Sequence, residues 1–125
     1  MFEKLELTRM AQAMAAHAGA RLGLVAQNVA QADTPGYRAQ DLPDFGQTYD
    51  SGAGLRTTRP GHMGHAAGLL AQPRDRGGAA SPDGNTVSLE REMVTAVGVR
   101  QQHEMALAIY RNTSEIIRAS LGRGR

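Results

Sequence analysis

The sequence predicts a mainly α fold in which long N- and C-terminal amphipathic helices pair as a coiled-coil-like layer, joined by an irregular Gly/Pro-rich loop with little β. Three observations predict it. Residues 1–32 contain no proline and repeat apolar or small side chains at helical spacing. Residues 33–86 hold all 5 prolines and ten of the 15 glycines. Residues 87–125 then return to helical spacing and end in a basic tail. A chain of 125 residues has room for one small domain and not for two separate cores, so the three segments form a single domain.

In the first segment Leu7, Met10, Met14, Ala18, Leu22, Val25, Val29 and Ala32 follow one another at steps of three or four, close to the 3.6-residue period. Six alanines between positions 11 and 20 favour helix. Gly19 and Gly23 oppose it at a cost of about 1 kcal/mol each. Two readings of these glycines stay open: small residues four apart admit a neighbouring backbone, or they are tolerated blemishes.

The middle segment has too much Gly and Pro for a long helix and too little apolar alternation for a sheet. A short extended piece is expected over Leu42–Tyr49, and a flexible loop over Ser51–Ala80. A loop of this length is unusual inside a self-contained globule.

The last segment opens with Ser88 as a plausible N-cap, Glu90 and Glu92 where the helix dipole favours acids, and closes at Gly122. Its stripe runs through Leu89, Met93, Ala96, Arg100, His103, Leu107, Tyr110, Ser114, Ile117 and Leu121. That stripe is apolar at its ends and polar in its middle, with an imperfect seam near Gly98. An unbroken helix here spans about 50 Å, more than a globule of this size needs. A monomeric hairpin, its two stripes burying each other, is the competing reading. Against it stand the entropy of closing fifty-odd loose residues and the small area of a single seam.

Composition excludes several classes. With no cysteine there is no disulfide, thiol nucleophile or Cys-based metal site, and the chain can cross compartments unfolded without mispairing thiols. The net charge of +2 and the four basic against four acidic residues over 88–121 leave no phosphate-facing stripe for nucleic acid. No apolar run is long enough to span a membrane, and the first residues lack the pattern of a cleaved secretory signal. His62-Met63-Gly64-His65 is the one His pair at metal-like spacing, but a Gly-rich loop without a nearby carboxylate is a poor site. Neither a catalytic constellation nor a cofactor motif is present, so no enzyme, cofactor or metal is expected. The alternative function is a small helical hairpin serving as an interaction module on nucleic acid or a membrane surface. The balanced charge argues against the first, and the few basic residues and lack of aromatics beyond Phe2 in the first helix argue against the second.

The informative string is Asn28-Val29-Ala30-Gln31-Ala32-Asp33-Thr34-Pro35-Gly36-Tyr37-Arg38. Thr34 before proline leaves the helical region, Pro35 presets the second turn position, and Gly36 tolerates the positive φ of a type II turn. The helix therefore stops sharply. Asn28 and Asp33 are placed to bond groups freed by the turn, and Tyr37 to anchor the outgoing chain against the helix end.

This string, following an Ala-rich amphipathic helix, resembles the signature of bacterial flagellar axial proteins, in which an Asn-rich helix end runs into Thr-Pro-Gly-Tyr and a basic residue. The matching positions are Asn28, Val29, Ala30, Asp33, Thr34, Pro35, Gly36, Tyr37 and Arg38, while a second Asn is usual where Gln31 stands. Residues Pro82 to Met93, Pro-Asp-Gly-Asn-Thr-Val-Ser-Leu-Glu-Arg-Glu-Met, are similar to the segment opening the C-terminal helix of proximal-rod members, where Asp is frequent in place of Ser88. The short chain leaves no room for the extra β-domain of hook and distal-rod relatives.

The resemblance implies a structural subunit of the proximal rod, exported unfolded through the flagellar type III apparatus without a cleaved signal and placed in the periplasmic basal body. It implies head-to-tail stacking with other copies of itself, with other rod proteins, and with the inner-membrane ring adaptor and export gate. Packing between subunits is then expected at Met10, Met14, Leu22, Val25 and Val29 of the first helix and at Met93, Val97, Leu107, Ile117 and Leu121 of the second. The isolated helices are expected to be marginal until neighbours bury them.

Overall fold

The computed structural model describes residues 2–52 and 72–122. In chain order its elements are α1 (Phe2–Ala30), β1 (Gln40–Asp41), α2 (Phe45–Gly52), β2 (Arg74–Asp75) and α3 (Leu89–Gly122). The two long helices pack against each other. They run antiparallel, because Asn28 in the last turn of α1 reaches Glu92 in the first turn of α3. Between them the chain makes a corner, crossed by the antiparallel pair β1–β2 in the register Gln40↔Asp75 and Asp41↔Arg74.

The seam inside this hairpin repeats every seven residues. Ala11, Ala18 and Val25 are buried on α1, and Glu92, Val99, Ala106 and Thr113 on α3. A seven-residue repeat keeps two helices face to face over their length. This seam only partly coincides with the expected stripes. On α1, Ala18 and Val25 are buried, Met14 and Leu22 are half-buried, and Leu7, Met10 and Val29 are exposed. On α3 the buried row lies beside the expected stripe: Ala96, His103, Leu107, Tyr110, Ser114 and Ile117 flank it half-buried, while Leu89, Met93, Val97, Arg100 and Leu121 are exposed. The physical reason is that one partner helix covers only a narrow strip. The strip it covers is small or polar, and reading by hydrophobicity follows the larger side chains beside it.

Three local expectations have definite outcomes. Over Leu42–Tyr49 the chain is not extended: α2 begins at Phe45, and its first turn closes through Thr48 N donating to Asp44 O at 3.1 Å. The Phe45 ring meets both His17 of α1 and Tyr49 one turn on, with ring centroids 5.6 Å apart in each pair. Aromatics four apart stabilise a helical turn. Gly19 and Gly23 are exposed and a β-carbon at either would meet nothing within 4 Å, so neither admits a backbone within the hairpin. Finally, α3 continues unbroken through Gly98, with Ser88 at the capping position and Glu92 N donating to Ser88 O at 2.9 Å. Of the expected loop over Ser51–Ala80, residues 53–71 lie outside the described residues, and so do His62 and His65.

Candidate functional site

The corner brings the two sequence motifs together. Tyr37 N donates to Thr34 O at 3.3 Å and Gly36 has φ 75°, the arrangement of a type II turn. Thr34 Oγ1 donates to Gln31 Oε1 at 2.6 Å, which gives Gln31 a role of its own. The carbonyls of Gln27, Asn28 and Val29 in the last turn of α1 accept from the amides of Gln31 and Ala32, and those of the turn that follows are not taken by Asn28 or Asp33. They go to Asn85, whose Nδ2 lies 2.9, 2.9 and 2.8 Å from the carbonyls of Gln31, Ala32 and Thr34. Asp33, Thr34, Pro35 and Arg38 are exposed, and Arg38 pairs with Asp75 at 3.3 Å in solvent.

Backbone contacts lock the motifs further. Gly36 N donates to Asp83 O at 3.0 Å, and Thr86 N to Tyr37 O at 3.0 Å. Gly84 also has a positive φ, 86°, and a β-carbon on it would lie 3.4 Å from Gly36 Cα. The two turns therefore pack glycine on glycine, each needing a left-handed conformation that other L-residues adopt only with strain.

Asn28 is 0% exposed and uses its whole hydrogen-bonding capacity. Its Oδ1 accepts from Gln40 N at 3.0 Å and Tyr37 Oη at 3.1 Å. Its Nδ2 donates to Gln40 O at 2.8 Å and Glu92 Oε2 at 3.3 Å. A primary amide offers two donors and two lone pairs, so nothing is left unsatisfied. The side chain thus acts as a short strand beside Gln40, and Tyr37 anchors the outgoing chain to the helix end as the motif led one to expect.

Glu92 also is 0% exposed. Arg76 spans its carboxylate, Nη1 at 2.5 Å and Nη2 at 3.4 Å, while Arg76 Nε lies 3.7 Å from Asp41 Oδ2. Asp41 in turn receives Arg21 of α1 through two bonds of 2.8 and 3.0 Å. Burial alone would raise the Asp41 carboxyl, but the Arg21 hydrogen bond, the Leu42 amide and the two guanidinium charges hold it below its ordinary range. Asp41 raises Arg21, chiefly through that same hydrogen bond. The result is a chain of alternating charges, Arg21, Asp41, Arg76 and Glu92, tying α1, β1, the residue after β2, and α3. An open cleft of about 300 Å³ lies beside it, lined by Arg21, Asp41, Asp44, Gln47 and Arg76 among others. Among the described residues no cluster of His, Asp and Glu could hold a metal ion.

The second feature is the outside of the hairpin. Leu5, Leu7, Met10 and Val29 of α1 and Leu89, Met93, Val94, Val97, Met105, Ile116 and Leu121 of α3 are exposed. Val94 is 74% exposed, and Met93 and Val97 70%. Val94, Met105 and Ile116 lie eleven apart, about three turns, and so share one face. Of the expected packing positions, Met10, Val29, Met93, Val97 and Leu121 stand on the outside, Met14, Leu22, Leu107 and Ile117 at the seam's margin, and Val25 inside it.

Sequence reasoning did not assign these roles to Asn85, Glu92, Arg76, Asp41 and Arg21. Asn85 and Glu92 stood within the second quoted string, where Glu92 read as a dipole partner. Asp41 and Arg76 stand in a Gly/Pro-rich segment, Arg76 at the end of the charged run Arg74-Asp75-Arg76, and nothing local marks either as buried because their partners are distant in the chain.

No helix among the described residues is long and apolar enough to cross a membrane. No protein-family model matches the chain. The chain is similar to the flagellar basal body rod protein FlgB of Agrobacterium fabrum (strain C58 / ATCC 33970), 24% identical over an alignment of 118 positions that covers 88% of this chain and 88% of that protein.

Proposed function

We propose that this chain is a structural, non-enzymatic subunit of the proximal rod of the bacterial flagellar basal body. In this reading it stacks head to tail with other copies of itself and with other rod proteins, between the inner-membrane ring with its adaptor and export gate and the periplasmic shaft. In that place it transmits torque as part of the drive shaft. The single observation that carries the reading is the inversion of side-chain size across the hairpin. Alanines, two valines and polar residues fill the seam, and eleven large apolar side chains are exposed along both helices among the described residues. Apolar rows on the outside of the hairpin suit contacts with neighbouring molecules. Contacts that repeat from subunit to subunit without closing generate a helical shaft. The similarity to a rod protein over nearly the whole length of both chains supports the same role.

The test is genetic and structural together. Deleting this chain from its own bacterium is expected to abolish flagella and motility, a tagged copy is expected to restore them, and that tag is expected in purified basal bodies at the rod. Normal motility after deletion, or a tag absent from the rod, contradicts the proposal.

A further inference from the structure

Residues 72–80 cross the corner as a strap with few holds. The β1–β2 pairing is two residues long, Arg76 N donates to Ala39 O at 2.8 Å, and the Arg38–Asp75 pair is exposed. Gln72–Asp75 and Gly78–Ala80 are exposed. Among the described residues the strap's one largely buried charged side chain is Arg76, and its guanidinium is the one cation in contact with Glu92. The other partner of that carboxylate, the amide of Asn28, is neutral. Asp41 would keep Arg21 if the strap were lifted, but Glu92 would keep no cation in a place of zero exposure.

A buried carboxylate deprived of its cation is far more costly than one never buried, and water must enter to relieve it. We propose that the strap is a latch: Arg76 neutralising Glu92 holds α1 and α3 docked at the corner, and lifting residues 72–80 opens that end first. The far seam through Ala11, Ala18, Ala106 and Thr113 holds no buried Asp, Glu, Lys or Arg among the described residues and stays closed when the strap lifts. The corner is thereby a conditional joint, shut only while residues 72–80 stay in place.

Amide hydrogen exchange on the full chain tests this. The reporters are Ala39 N on Thr86 Oγ1, Gln40 N on Asn28 Oδ1 and Thr86 N on Tyr37 O. In Arg76→Met, which keeps an apolar stem without charge, these amides are expected to exchange roughly tenfold faster or more, with amides near Ala106 and Thr113 within about threefold of the parent. Adding Glu92→Gln is expected to return the corner to within about threefold, because the uncompensated charge is gone. Arg76 acting only by packing would show no such rescue. Unchanged corner amides in Arg76→Met, acceleration along both whole helices, or no recovery in the double variant each overturn the latch. Should Arg76→Met fail to fold, a folded double variant supports the latch and an unfolded one overturns it.

Discussion

At the scale of single residues, the corner depends on groups with no slack. Asn28 has the correct shape for either an amide or a carboxylate, but a carboxylate would turn a lone pair toward Gln40 O and a negative charge toward Glu92 Oε2, now 2.8 and 3.3 Å from its Nδ2. Asn28→Asp is therefore expected to destabilise the chain by about 3 kcal/mol in urea unfolding at neutral pH, and an unshifted midpoint contradicts that. Asp41 predicts a pH dependence. Its folded pKa is lowered, so as the pH falls the unfolded chain takes up the proton first. The stabilisation is complete above the unfolded value of about 4 and is lost as the pH drops through the folded value. Asp41→Asn is expected to lower stability at about pH 7 and to shrink the loss seen in the parent between about pH 5 and about pH 3. Equal acid sensitivity in parent and variant would show that Asp41 is not the group concerned.

At the scale of elements, the helices were legible and their seam only in part, at Ala18 and Val25. Spacing placed α1 and α3 within two residues of their observed ends, and Thr34-Pro35-Gly36-Tyr37 announced a turn that has the expected positive φ at Gly36. The turn was readable because proline and glycine restrict the backbone locally, whatever lies elsewhere. Glu92 and Thr113 occupy seam positions that no hydrophobicity pattern marks, since their burial depends on Arg76 and on the close approach of an Ala-rich partner. Likewise α2 was hidden because Gly46 and Gly52 mask the Phe45/Tyr49 spacing. Buried alanines contribute little apolar area, so the seam itself is weak, and the polar corner sets its register, as buried polar groups do in other paired helices. Gly19 and Gly23 allow a direct test of the element scale. With open space above both, Gly19→Ala and Gly23→Ala are each expected to raise stability by about 0.5–1 kcal/mol in thermal unfolding. A loss of stability would mean that something in the hairpin packs on them.

At the scale of the whole molecule, the two motifs at 28–38 and 82–93 prove to be halves of one joint, with Asn85 bonding the turn after α1 and Asn28 reaching the start of α3. That joint fixes which faces of the helices turn inward and leaves Val94, Met105 and Ile116 in line outside. Leu107 and Ile117, half-buried beside the seam, would report on folding and assembly together, whereas Val94 and Met105 separate the two. The most direct measurement of the central claim is therefore the Val94→Asp/Met105→Asp chain, melted as purified protein and followed into basal bodies in its own bacterium. The account predicts a stability within about 1 kcal/mol of the parent and no incorporation into the rod. A chain that unfolds early would place this face inside the fold, and one that melts normally and still enters the rod would remove the face from the assembly.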